Sequence, residues 1–174
     1  GIVLNAAAEA VDCDSAAVRM ADGSELQSDL VIGADGLHSV ARRAICGSLA
    51  PIFTGQTAWR AIVPNVSGRG PEAWVHMGPG RHVVSYPLKG GEWLNLVAGQ
   101  ERETWGEEGW SQEDDPAHLR AAFADFAPDV QEMLTAVERV HLWGLFRHPV
   151  AADWHRGAAV LLGDAAHPML PFLA

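Results

Sequence analysis

Apolar positions alternate in short runs near the start of the chain, thicken into runs that are apolar on both faces, and recur at helical spacing mainly after residue 115. Residues 2–4, 16–20 and 25–27, with the turn Ala21-Asp-Gly-Ser24, predict a β-hairpin. It leads into Asp29-Leu-Val-Ile-Gly-Ala34, the pattern of a strand in a parallel or mixed sheet covered on both sides. Residues 39–45 predict a short helix with Arg42 and Arg43 toward solvent, and Gly47 and Pro51 mark a change of character where a second domain begins.

From residue 56 the pattern becomes strands at 57–63, 72–77, 81–88 and 93–98, punctuated by Pro64-Asn65, Gly78-Pro-Gly80 and Gly90-Gly91, as in an antiparallel sheet. An acidic loop over residues 101–115 contains Trp105 and Trp110 and reads as solvated surface rather than a lid. Pro116 then opens a helix with Asp115 as its N-cap and Leu119, Ala122, Phe123 and Phe126 at helical spacing. A second helix follows Pro128 with Val130, Met133, Leu134 and Val137 inward. A strand at 140–146 and a turn near Asp153 return the chain to a last strand at 158–162. The fold class is α/β with α+β mixing, organised as residues 1–51, an inserted 52–150 and a return over 151–174.

The 174 residues are 48% hydrophobic and 20% charged, which is ordinary globular composition. Twelve basic against 22 acidic residues give a net charge of −10, and without a basic run to neutralise phosphates the chain is expected to bind no nucleic acid. The apolar runs are too short to cross a bilayer and no secretory pattern opens the chain, so no membrane role and a cytoplasmic location are expected. Cys13 and Cys46 lack metal-type spacing and read as reduced thiols.

Two stretches carry candidate chemistry. In Asp29-Leu-Val-Ile-Gly-Ala-Asp-Gly-Leu-His-Ser39 a buried strand ends, Asp35-Gly36 turns the chain, and Ser39 opens a helix whose free amides favour an anionic group. The plainer alternative is that Asp35 and Ser39 only cap that helix. In Leu161-Leu-Gly-Asp-Ala-Ala-His-Pro168, Gly163 permits close backbone approach and Asp164 emerges at a strand end, where α/β sheets bind ligands. A carboxylate there suits sugar-type hydroxyls; the plainer alternative is again a helix cap.

As an ordered pair separated by a strand-rich insertion, these stretches resemble the DG and GD motifs of the single-component FAD-dependent aromatic hydroxylases. The segments Phe53-Thr-Gly-Gln-Thr-Ala-Trp-Arg60, Arg81-His-Val-Val-Ser-Tyr-Pro87 and Gly163-Asp-Ala-Ala-His-Pro-Met-Leu-Pro171 are similar to the branch containing salicylate hydroxylase, 3-hydroxybenzoate 6-hydroxylase and 6-hydroxynicotinate 3-monooxygenase. The resemblance implies part of a three-layer FAD-binding domain with an inserted antiparallel-sheet substrate domain. It implies FAD as cofactor, NAD(P)H as cosubstrate, and O2 with a small phenolic acid as reactants. Asp164 would bind the ribityl chain, Gly163, Ala165 and Pro168 would lie beside the flavin, and Asp35 with Gly36 would border both FAD and the pyridine nucleotide. His167, inside the motif, is expected to bond backbone near the cofactor.

Within residues 81–88, strand alternation places His82, Val84 and Tyr86 on one face. Electrophilic hydroxylation needs an electron-rich ring, and removing a phenolic proton supplies it; imidazole, with an ordinary pKa of roughly 6.5, suits that base role. His82 is the candidate base and Tyr86 its companion, a pairing the resemblance also implies, while the plainer alternative is a half-exposed strand facing water. Arg60 is a candidate for holding a substrate carboxylate if its side chain reaches the same face. His38, His76, His118, His141, His148 and His155 are assigned no role.

The family's opening Gly-x-Gly-x-x-Gly unit, which cradles the pyrophosphate, is absent from these residues. The chain is therefore expected to be a fragment lacking that unit and a C-terminal end, binding FAD poorly and hydroxylating little by itself. Two alternatives remain open at this level: a related FAD oxidoreductase of the same fold that does not hydroxylate a ring, or a non-catalytic flavoprotein remnant serving as an interaction domain.

Overall fold

The computed structural model describes residues 1–48, 50–105 and 112–170. The chain divides into two compact units, residues 1–52 with 147–174, and residues 53–146.

In the first unit, β1 (Ala8–Asp12), β2 (Ala17–Met20) and β3 (Glu25–Gln27) form an antiparallel meander. The turn between β2 and β3 falls at the expected Asp-Gly, where the Asp22 carboxylate accepts from Ser24 N at 2.9 Å and Gly23 takes φ +84°. Residues 2–4, expected to be strand, lie outside the sheet, and Ile2 is 91% exposed. The strand facing β2 is instead β1, because Asp12 accepts from Asp14 N at 2.9 Å and closes a side-chain turn that sends Ala8–Asp12 back along Ala17–Met20.

β4 (Val31–Gly33) pairs in parallel with β12 (Ala159–Leu161), and β11 (His155–Arg156) flanks β12. The expectation of cover on both faces fails in this chain: Gly33 is buried, but Leu30 and Ile32 are exposed on the other side. The covered face meets α1 (Val40–Cys46), whose Ala41 and Ile45 pack with Ala151, Ala159, Leu161, Ala165 and Ala166. Gly33 makes this possible, since a Cβ there would collide with the Ala41 methyl and come within 3.2 Å of Leu161 Cδ2. Arg43 faces solvent as expected, but Arg42 does not: it is buried, and its guanidinium donates to the Pro149 carbonyl. A buried guanidinium keeps its charge by finding such an acceptor.

In the second unit, six strands lie in the order β6 (Trp74–Gly78), β7 (Arg81–Leu88), β8 (Trp93–Glu101), β5 (Ile52–Pro64), β10 (Val140–Arg147), β9 (Glu113–Asp114). The first four pair antiparallel. α2 (Pro116–Ala122) starts as expected, with Asp115 accepting from Ala117 N at 2.8 Å, and α3 (Pro128–Thr135) follows with Val130, Met133 and Leu134 buried. Both helices cover one face of the sheet, packing Leu119, Phe123 and Leu134 with Trp59, Val83 and Leu96.

Trp59 anchors that core, with its ring 5.9 Å from Phe123 at 81° and its indole N–H donating to Asp114 at 2.7 Å. Trp105 corrects the solvated-surface expectation at its own position, because it packs half-buried on this core and over Gly144. Trp110 lies outside the described residues. Among the described residues, no helix is long and apolar enough to cross a membrane.

Candidate functional sites on a strand end and a sheet face

The parallel register pairs Leu161 with Gly33, and Leu162 N donates to Gly33 O at 2.9 Å. Asp35-Gly36 and Gly163-Asp164 therefore leave adjacent strands at the same, C-terminal end. That is where parallel sheets present backbone and side chains to ligands.

The two turns use their residues differently. At the first, Ser39 Oγ donates to Asp35 Oδ1 at 2.5 Å and accepts from Arg42 N at 2.9 Å, while Asp35 Oδ2 accepts from Val40 N at 2.7 Å and Ala41 N at 3.2 Å. Asp35 Oδ2 thus caps α1 directly, while Oδ1 holds the hydroxyl of the N-cap Ser39. Partial burial pushes the Asp35 pKa upward, but the hydrogen bonds from Ser39 and the helix amides outweigh it and hold the carboxyl below its ordinary value. What this turn leaves open is backbone: Gly36 takes φ +76° with nothing within 4 Å of where a Cβ would point.

At the second turn, Gly163 takes φ +62°, also faces open space, and bends β12 into the 3-10 turn Gly163–Ala165. Asp164 is exposed there, whereas Ala165 and Ala166 are fully buried in the core of the unit. Gly163 O accepts from Ala166 N at 2.9 Å and His167 N at 3.0 Å. Pro168 is half-buried just beyond. The His167 ring stacks on Trp154 at 5.1 Å and 23°, while its backbone N–H holds the Gly163 carbonyl.

In the second unit, β7 turns Val83 and Ser85 toward the helices and His82, Val84 and Tyr86 to the opposite face. β5 turns Trp59, Ala61 and Val63 inward, which puts Arg60 on the His82 face. The His82 imidazole lies across Gly99 of β8, directly opposite in register, and a Cβ at Gly99 would fall 2.8 Å from its Nε2. His82 lines an open cavity of about 250 Å³ with Gln56, Val75, Met77, Gly99 and Glu101. A second cavity of about 330 Å³ adjoins it through Gln56 and Glu101. Tyr86 does not line the His82 cavity; it lies farther along the same face, opposite Asn95.

Asn95, not singled out in the sequence, is fully buried on this face and accepts from Arg60 Nε at 3.1 Å. A lone amide inside Trp93-Leu-Asn-Leu-Val97 was the available signal.

Residues 4–174 match the family model described as FAD binding domain. The chain belongs to that FAD-binding domain family. The domain is 36% identical over 166 residues to the 3-amino-4-hydroxybenzoate 2-monooxygenase PtnB3 of Streptomyces platensis, covering 92% of this chain and 41% of that protein. It is 36% identical over 174 residues to the 6-hydroxynicotinate 3-monooxygenase of Bordetella bronchiseptica, covering 94% and 45%. Among solved structures, a salicylate hydroxylase substrate complex superposes with a TM-score of 0.82 at 25% identity, over 98% of this chain and 48% of that one. The chain thus spans between two fifths and half of the length of these proteins. The strand-end residues fit the family's cofactor: two left-handed glycines with open space before them and an exposed carboxylate at Asp164 leave room for a flat ring and an acceptor for its hydroxylated chain.

Proposed function

We propose that this FAD-binding domain belongs to an NAD(P)H- and O2-dependent cytoplasmic monooxygenase that adds one hydroxyl group to a small phenolic acid of the hydroxybenzoate class. The observation that carries this reading is the placement of His82 in a cavity on a sheet face that also bears Tyr86 and Arg60. The named relatives act on hydroxylated aromatic or heteroaromatic acids, as their names state, which supports the substrate class. The cavity is smaller than the roughly 300–1,000 Å³ of drug-sized sites and suits a single ring.

FAD, when bound, supplies the oxygen-activating chemistry. Asp164 accepts from the ribityl hydroxyls. Gly163 and Gly36 admit the cofactor close to backbone, Ala165 and Pro168 shape the adjoining surface, and Asp35 fixes the turn that holds Gly36 in place. Val75, Met77 and Gly99 receive the ring, Arg60 takes its carboxylate, and His82 removes the phenolic proton, which raises the electron density of the carbon to be hydroxylated. Tyr86 hydrogen-bonds the substrate on the same face.

The test is turnover of the intact flavoprotein with 3-amino-4-hydroxybenzoate under isotopically labelled O2. One labelled oxygen atom in the product is expected. NAD(P)H oxidation without labelled product overturns the hydroxylase reading in favour of an oxidoreductase of the same fold.

A further inference from the structure

Asn95 presents a buried polar group that the catalytic assignment does not use. It is 0% exposed in the middle of β8, flanked in register by Ile62 on β5 and Tyr86 on β7. Its Oδ1 accepts from Arg60 Nε at 3.1 Å, and its Nδ2 has no hydrogen-bond partner. The amide orientation is fixed chemically, because arginine only donates and the amide oxygen must face it. A buried donor left unpaired is costly, so it persists where something else satisfies it.

The neighbouring groups define what that something is. Arg60 is exposed, and with Nε held by Asn95 its guanidinium plane is oriented while its terminal N–H groups remain for a ligand. An oriented guanidinium beside an amide donor is a site for two oxygens of one anionic planar group. Met77, Val75, Val84 and Val97 give the same face an apolar floor, which suits an aromatic carrier.

We propose that Asn95 is a positioning residue that aims Arg60 at the carboxylate of an aromatic acid and contributes Nδ2 as the second donor, making Arg60 and Asn95 one carboxylate-recognition unit. This rests on reading the His82 face as the substrate face.

The experiment uses the intact FAD-loaded protein and compares binding of 3-amino-4-hydroxybenzoate with that of its uncharged carboxamide by calorimetric titration. Wild type is expected to prefer the carboxylate. Asn95→Leu should weaken carboxylate binding about tenfold to a hundredfold, as for loss of a hydrogen bond to a charged group. It should change carboxamide binding little and raise KM rather than lower kcat. Asn95→Asp keeps the acceptor for Arg60 but puts a negative charge where the donor was, and should reject the carboxylate at least as strongly. Arg60→Gln combined with Asn95→Leu should lose less than the product of the two single losses.

Equal loss of both probes in folded, FAD-binding variants, unchanged preference in Asn95→Leu and Asn95→Asp, or a wild type that binds the carboxylate no better than the carboxamide would each overturn the proposal. The last result leaves hydroxylation of phenols standing. Conversely, tight and Asn95-dependent carboxylate binding without labelled oxygen in the product sinks the hydroxylase reading and keeps this one.

Discussion

The strand-end turns of the first unit and the sheet face of the second prepare for a ligand in opposite ways. At the turns, Asp35 spends one oxygen on the Ser39 hydroxyl and the other on two backbone amides of α1, and the space offered outward lies over Gly36 and Gly163. On the sheet face, backbone is consumed by ladder hydrogen bonds, and His82, Tyr86, Arg60 and Asn95 present side chains from a fixed register. The first region offers open backbone and one exposed carboxylate at Asp164, the second a set of side chains on one face. Substitutions should therefore hurt them through different quantities.

The largest effect is expected on the sheet face. His82→Ala should slow substrate hydroxylation by about 10²–10⁴-fold, the usual range for a lost general base, while FAD affinity stays unchanged. Rapid-reaction kinetics of the intact protein separate the two, and equal loss of both would remove His82 from the base role. At the turns, Gly33→Val should act on stability instead. Its branched side chain would enter the space of Ala41 and Leu161, at a cost of about 3 kcal/mol, the upper end of overpacking. Urea unfolding measures this, and Gly36→Ala offers the contrast: nothing obstructs its Cβ, so only the left-handed backbone penalty of about 1–2 kcal/mol applies.

A smaller effect sharpens the reading of Asp35 as a cap. Asp35→Ala should cost about 1 kcal/mol, as for other lost helix caps. Because the hydrogen bonds hold the folded pKa below the ordinary 3.8, the contribution is present above that value and fades as pH falls through the folded one. Acid unfolding of Asp35→Ala should then be less steep than that of wild type. Retention of wild-type acid sensitivity would mean that the carboxylate is not what couples α1 to pH.

Much of this organisation was legible in the sequence where it is local. Period-two runs such as residues 81–88 gave the strands of the second unit, and Asp115-Pro116 gave the start of α2, because both signals are complete within a few residues. What was not legible depends on distant partners. Arg42 looks outward until Pro149, 107 residues later, supplies a carbonyl. Asn95 looks like a strand irregularity until Arg60, 35 residues earlier, proves to share its face. β1 escaped because Ala8-Glu-Ala-Val-Asp12 has little strand character of its own, and the Asp12 turn, not propensity, sets it against β2.

The smallest effect concerns how firmly the sheet holds the face that carries His82. Asp114 accepts from the Trp59 indole at 2.7 Å and bonds His118 Nδ1 at 2.7 Å, tying β9 and α2 to the central tryptophan of the core. Burial acts to raise the Asp114 pKa, yet the bonds from His118 and Trp59 prevail and lower it below 3.8; the same bond to Asp114 raises His118 above its ordinary 6.5. The two signs define a window. Asp114 contributes above 3.8 and is lost as pH falls through its folded value, whereas His118 contributes fully below 6.5 and is lost as pH rises through its own. The pair therefore stabilises most between about pH 4 and 6.5. His118→Asn should remove the alkaline decline while leaving the acid limb, where Asp114 still holds Trp59. Because the His118 ring is largely exposed, screening by salt should shrink the difference. Thermal unfolding across pH at low and high salt checks both points. An alkaline decline that persists in His118→Asn would place its origin elsewhere and leave Asp114 as a partner of Trp59 alone.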